Sequence, residues 1–159
     1  MLHFAYGSNM SRAIMRRHAP SAQPVGVAQL AGHRFVITAD GYASVARDTT
    51  QVVHGVVWRL TSRDRVTLDT WENVARGLYR AATLPVQVQG RRMTALVYVA
   101  RPSGEGRPKP GYIELVVAAA REWDLPADYL QSLQRWSPAR WLNAPGSFKG
   151  PASKLGEFG

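Results

Sequence analysis

Short apolar runs, several of them alternating with polar residues, fill the first two thirds of the chain; helical spacing takes over near the end. Residues 2–6 are apolar and aromatic and stop at Gly7-Ser8-Asn9, which predicts a short buried strand ending in a turn. Ser11 can cap a short helix through Arg17 that ends before Pro20. Strands are predicted over 25–30 and 33–39, and a turn at Asp40-Gly41 leads to another over 43–47. Over 52–60 one face carries Val53, Gly55 and Val57, the other Val56, Trp58 and Leu60. Apolar residues on both faces predict a central strand.

Thr61-Ser62-Arg63-Asp64 is a capping-box variant, so a helix should cover 62–70. Residues 78–88 and 91–100 read as a hairpin around Gln89-Gly90. Residues 103–110 hold Gly104, Gly106, Pro108 and Pro110 and read as a mobile loop. Tyr112, Val116, Ala119 and Trp123 then share a helical face. A second helix starts near Pro126, with Tyr129, Leu133 and Trp136 on one side. Many strands followed by two helices predict a small α+β domain, a mixed, barrel-like sheet with flanking helices. That domain spans 1–136; the Pro/Gly-rich residues 137–159 form a weakly patterned tail expected to be poorly ordered.

Composition narrows the classes. The 159 residues are one domain's worth, and 45% hydrophobic content is that of a globular chain. With no cysteine, disulfides, thiolate metal sites and a cysteine nucleophile are excluded. No apolar run reaches the roughly 18 residues of a membrane span, and residues 1–7 lack the layout of a signal peptide. A cytoplasmic protein without membrane contact is the expectation. Twenty Lys+Arg against 11 Asp+Glu give a net charge of +9, almost all of it arginine. The cations are scattered, with no long basic run and no aromatic stripe, so a nucleic-acid partner is disfavoured.

Candidate chemistry concentrates in two places. Tyr6-Gly7-Ser8-Asn9 sits between a strand and a helix, where small residues let a ligand approach backbone N–H groups. The same four residues also suit a tight turn that satisfies its own backbone. Asp69 and Glu72 lie three apart at a predicted helix end. Glu72 has Trp71 before it and Val74-Ala75 after it, and a carboxylate among apolar groups has a raised pKa and can accept a proton near neutrality. A solvated helix end is the plainer account of the same pair. His3, His18, His33 and His54 show no metal spacing, and His3 and His54 read as partnered strand residues. No GxSxG elbow, GxGxxG fingerprint or phosphate loop occurs, so no cofactor is expected.

Taken together the motifs resemble the gamma-glutamylcyclotransferase-like family. Phe4-Ala5-Tyr6-Gly7-Ser8-Asn9-Met10 resembles its N-terminal signature, and Gly41-Tyr42-Ala43-Ser44-Val45 its glycine-containing second segment. Gly55-Val56-Val57-Trp58 resembles its central strand. Leu68-Asp69-Thr70-Trp71-Glu72 followed by Gly77-Leu78-Tyr79 resembles its acidic segment. Tyr112-Ile113 and Leu125-Pro126-Ala127-Asp128-Tyr129 resemble its final helices, and the ordered set covers about residues 2–136.

The resemblance implies a small mixed barrel and a cyclisation. The α-amine of a γ-glutamyl substrate attacks its own side-chain carbonyl, releasing 5-oxoproline and an amine or amino acid. It carries the catalytic role onto Glu72 and substrate binding onto Tyr6, Gly7, Ser8, Asn9, Tyr79 and Tyr112, with no metal. Asp69 would support the helix end or orient its neighbours. Arg12, Arg47, Arg76 and Arg80 are candidates for the substrate carboxylate, none preferred. Monomer and homodimer both stay open. Two rivals remain: a relative acting on a γ-glutamyl-acylated biosynthetic intermediate, and a non-catalytic binding module of the same fold. The enzyme reading requires Glu72 to face the Gly7-Ser8 turn across one cavity.

Overall fold

The computed structural model describes residues 1–137, so the tail beyond lies outside the described residues. Five strands, β1 (Leu2–Ala5), β2 (Gln23–Ile37), β3 (Ala43–Arg59), β4 (Tyr79–Val88) and β5 (Arg91–Ala100), close into a barrel in the order β1-β3-β2-β4-β5. Four helices flank it: α1 (Arg12–His18), α2 (Ser62–Trp71), α3 (Tyr112–Glu122) and α4 (Ala127–Gln134). Short 3-10 turns follow β1 at Ser8–Met10 and α2 at Val74–Arg76. The expected mixed barrel with flanking helices is the observed architecture.

β3 is the central strand that its two-faced apolar pattern predicts. It pairs antiparallel with β1 on one side and β2 on the other, and Val53, Val56, Val57 and Trp58 are all buried. Where four short strands are expected between residues 25 and 60, the chain makes two long ones, of 15 and 17 residues. The apparent break at Gly32 is a bulge: the β2–β3 register shifts between Ala31 and His33, and Gly32 takes φ +73°. The polar stretch around Asp48-Thr49-Thr50-Gln51 is not a loop but a solvent-facing length of β3.

α2 begins on the expected capping box. The Asp64 N–H donates to Thr61 Oγ1 at 3.2 Å, and the Thr61 N–H donates to Asp64 Oδ2 at 3.0 Å. Its last residue is Trp71, one beyond the prediction, and Glu72 is the cap. Asn73 then turns left-handed, φ 53°, which reverses the chain directly after Glu72. Pro126 occupies the cap position of α4, one residue before the first turn predicted for it.

Residues 103–110, read as a mobile loop, are bonded along their length to the β2–β3 turn. Ala39 N–H donates to Gly104 at 3.1 Å, Gly106 N–H to Ile37 at 2.9 Å and Lys109 N–H to Gly41 at 3.0 Å. Glycines and prolines suit this segment because it runs close against another backbone, which sequence reads as looseness.

The barrel is least continuous between β1 and β5, which pair in parallel at only His3 and Leu96. Two side chains supplement that pair. His3 Nδ1 lies 3.1 Å from the Leu96 carbonyl, and the Tyr6 hydroxyl donates to the Tyr98 carbonyl.

Candidate functional site

The turn after β1 and the end of α2 meet at this gap. All seven residues assigned to catalysis or substrate binding, Tyr6, Gly7, Ser8, Asn9, Glu72, Tyr79 and Tyr112, line one partly open cavity. Each comes from a different kind of support. Tyr6 and Gly7 continue β1, and Ser8 and Asn9 form the 3-10 turn. Glu72 caps α2, Tyr79 opens β4, and Tyr112 opens α3. Backbone geometry therefore fixes these positions before any side chain is considered.

The N-terminal turn presents amides. Its first closing bond is Met10 N–H to the Gly7 carbonyl at 3.1 Å, so the amides of Ser8 and Asn9 are not consumed within the turn. Gly7 has a packing reason: a Cβ there would lie 3.0 Å from the Tyr112 hydroxyl. That hydroxyl accepts the Ala43 N–H at 3.2 Å, and the Tyr79 hydroxyl donates to the Ala43 carbonyl at 2.6 Å. One residue of β3 thus anchors two tyrosines.

On the opposite wall, Asn9 Nδ2–H donates to Glu72 Oε1 at 3.3 Å, which ties the turn to the acid. Asp69 does not line the cavity. It accepts Arg65 Nε–H at 2.9 Å and the Tyr98 hydroxyl at 2.6 Å, so its part is to hold neighbours. The four candidate arginines, Arg12, Arg47, Arg76 and Arg80, are exposed and line no part of the cavity; Arg12 pairs with Glu122 and covers the Trp123 ring.

Electrostatics follow from burial. Burial pushes the phenol pKa values of Tyr6 and Tyr98 up; the Glu72 charge is the next cause at Tyr6, and the Asp69 carboxylate at Tyr98. Burial likewise raises Tyr79 and Tyr112. All four phenols stay protonated and able to donate at neutral pH. Burial lowers His3 to about 4, against a partial opposing effect of the Leu96 carbonyl. Among the described residues no cluster of three or more His, Asp or Glu could hold a metal.

Seven further residues line the cavity, and four of them, His3, Tyr42, Trp71 and Tyr98, bring polar side-chain groups that the sequence did not assign to the site. Tyr98 reads as one more apolar strand residue, and only barrel closure brings it to Tyr6. The reading of His3 as a partnered strand residue holds for one nitrogen. Nδ1 faces a carbonyl and so carries the proton, while the buried Nε2 has no partner.

His3 sets a pH expectation. Its folded pKa lies near 4 against 6.5 when unfolded, so the unfolded chain binds the proton first as pH falls. Stability is therefore full above pH 6.5 and declines down to pH 4, by about 3 kcal/mol in all. Urea unfolding between pH 7 and 4 should show this decline, and His3→Gln should flatten it. An equal slope in the variant would remove His3 as the cause.

Comparison with known proteins follows the same lines. The sequence model of the AIG2-like family matches residues 52–133, more than half of the chain. Gamma-glutamylcyclotransferases of Homo sapiens and Bos taurus are each 28% identical to it, over 86% of this chain and 79% of theirs. A solved gamma-glutamyl cyclotransferase superposes with TM-score 0.82 at 26% identity, covering 99% of this chain and 95% of that one. YkqA from Bacillus subtilis gives TM-score 0.77 at 25% identity, over 87% of this chain and 54% of that one. Among the described residues no helix is long and apolar enough to cross a membrane. The closed barrel, its ordered motifs and the span of the family match agree, and this chain belongs to the AIG2-like, gamma-glutamylcyclotransferase-like family.

Proposed function

We propose that the protein is a gamma-glutamyl cyclotransferase with Glu72 as general acid and base. One observation carries the reading: Glu72 and the Gly7-Ser8-Asn9 turn line the same cavity, and Asn9 donates to the Glu72 carboxylate across it. This is the arrangement that separates an enzyme from a binding module with a solvent-facing Glu72.

The steps follow from the groups present. An α-ammonium cannot attack, so the Glu72 carboxylate takes one of its protons. The free amine then adds to the γ-carbonyl of the same molecule, forming the ring C–N bond. The Asn9 amide would receive the resulting oxyanion, together with the Ser8 amide that otherwise faces the Tyr112 oxygen. Tyr112 can add a hydrogen bond, since its oxygen already accepts the Ala43 amide and its own O–H is left to donate. Glu72 returns a proton to the leaving nitrogen as the old C–N bond breaks, and the ring nitrogen sheds its second proton to the departing amine, giving 5-oxoproline and an amine or amino acid. Because nucleophile and electrophile belong to one flexible chain, holding that chain folded supplies much of the acceleration.

Incubation of the full chain with a panel of γ-glutamyl amino acids, γ-glutamyl amines and γ-glutamyl-acylated intermediates tests this reading. Release of 5-oxoproline from the first two classes is expected. Turnover confined to acylated intermediates would favour the relative with a biosynthetic substrate. Binding without turnover across the panel would leave a binding module.

A further inference from the structure

His18 ends α1, is 9% exposed and lies behind the cavity wall rather than in it. It nevertheless touches both sides of the site. Its Nδ1 is 3.4 Å from Asn9 Oδ1, and its ring stacks on Trp71 with centroids 4.0 Å apart and planes inclined by 33°. Asn9 in turn donates to Glu72, and Trp71 immediately precedes Glu72.

Proton bookkeeping gives this arrangement a direction. An amide oxygen only accepts, so His18 Nδ1 carries the hydrogen in that contact. The two ends of an asparagine amide have nearly the same shape, and only their partners decide which way it faces. Building on the catalytic reading of Glu72, we propose that His18 is a positioning residue whose Nδ1–H holds the Asn9 oxygen and so turns the Asn9 NH₂ onto the Glu72 carboxylate. With the amide reversed, a carbonyl lone pair would face that carboxylate instead. Donation to the carboxylate favours its charged, proton-accepting form; the reversed amide disfavours it. Among the described residues, the phenols that feel the Glu72 charge are Tyr6 beyond β1, Tyr79 on β4, Tyr98 on β5 and Tyr112 on α3, all kept neutral by burial. Asp69, on the same helix, is engaged by Arg65 and Tyr98. The Asn9 amide is therefore a polar contact whose sense another residue controls.

Two variants of the full chain separate the hydrogen bond from the ring stack. His18→Phe keeps an aromatic ring for Trp71 and removes the donor. His18→Asn removes the ring and places an amide N–H where Nδ1 was. Carbon-13 titration of the Glu72 carboxyl in glutamate-labelled protein, assigned by its loss in Glu72→Gln, is the first readout. His18→Phe should raise the Glu72 midpoint by about one pH unit and leave it near wild type in His18→Asn. Turnover is the second: kcat should drop about ten-fold in His18→Phe at nearly unchanged KM, and about three-fold or less in His18→Asn. Equal effects of the two variants, or an unmoved Glu72 midpoint in His18→Phe, would overturn the proposal. Nitrogen-15 spectra of the wild-type imidazole add a test that needs no variant: the Nδ1–H form is expected at alkaline pH, and a purely Nε2–H ring would overturn it. If the panel above yields no cyclised product, the cyclotransferase reading fails, while the carboxyl titration still decides the role of His18.

Discussion

Glu72→Gln should abolish 5-oxoproline release, with kcat down at least about a thousand-fold, while the thermal unfolding midpoint stays within a few degrees of wild type. The size follows from chemistry. General acid–base catalysis contributes roughly 10²–10⁴-fold, and here one group both takes the proton from the nucleophile and returns it to the leaving nitrogen. Glutamine has nearly the same shape and can still meet the Asn9 amide, but it cannot accept a proton. The fold should tolerate it because Glu72 is held by its backbone: its N–H donates to the Leu68 carbonyl at 2.8 Å. Quantifying 5-oxoproline from matched concentrations of both proteins, with circular dichroism of each, decides the matter. Turnover within ten-fold of wild type by the variant would move the base elsewhere.

Gly55→Ala should cost about 3 kcal/mol or more of folding free energy, and insoluble protein would be in keeping with that. A Cβ at Gly55 would sit inside contact distance of the Ala5 carbonyl oxygen and 2.8 Å from two ring carbons of Phe4. Neither neighbour can yield. Ala5 is backbone paired to Val56, and Phe4 is fully buried in the core. Overpacking a filled site typically costs 1–3 kcal/mol, and here backbone must move as well. The displaced strand is the one that leads into Tyr6 and Gly7, so any variant recovered in folded form should also lose activity. A urea midpoint equal to wild type would show that β1 and β3 are less tightly apposed than the structure has them.

These two residues also mark what the sequence could reveal. Gly55 lies in a run apolar on both faces, so the central strand was legible from local pattern alone. Glu72 was legible as a carboxylate at a helix end because the capping box at Thr61 sets where α2 begins, and a ten-residue helix then stops beside it. The hairpin at Gln89-Gly90 was equally local, and both residues adopt the positive φ that such a turn requires. Tyr98 and His18 were not legible. Tyr98 meets Tyr6 across 92 residues of sequence, and His18 meets Trp71 only because α1 and α2 flank the same turn. Neither contact leaves a periodic signature. The arginine candidates failed for a related reason: net charge is a property of composition, whereas a carboxylate partner is a property of position. The long β2 and β3 were hidden because a bulge glycine and an exposed polar stretch both resemble loop sequence.

The barrel's join at β1 and β5 has a consequence for any occupant. With a single ladder pair there, a molecule touching both Tyr6 and Tyr98 would add to the Tyr6 hydroxyl bond that already spans the join. Its binding free energy then counts toward keeping the cylinder shut, and whatever loosens the cylinder weakens its grip on the molecule. Occupancy and closure become two faces of one equilibrium.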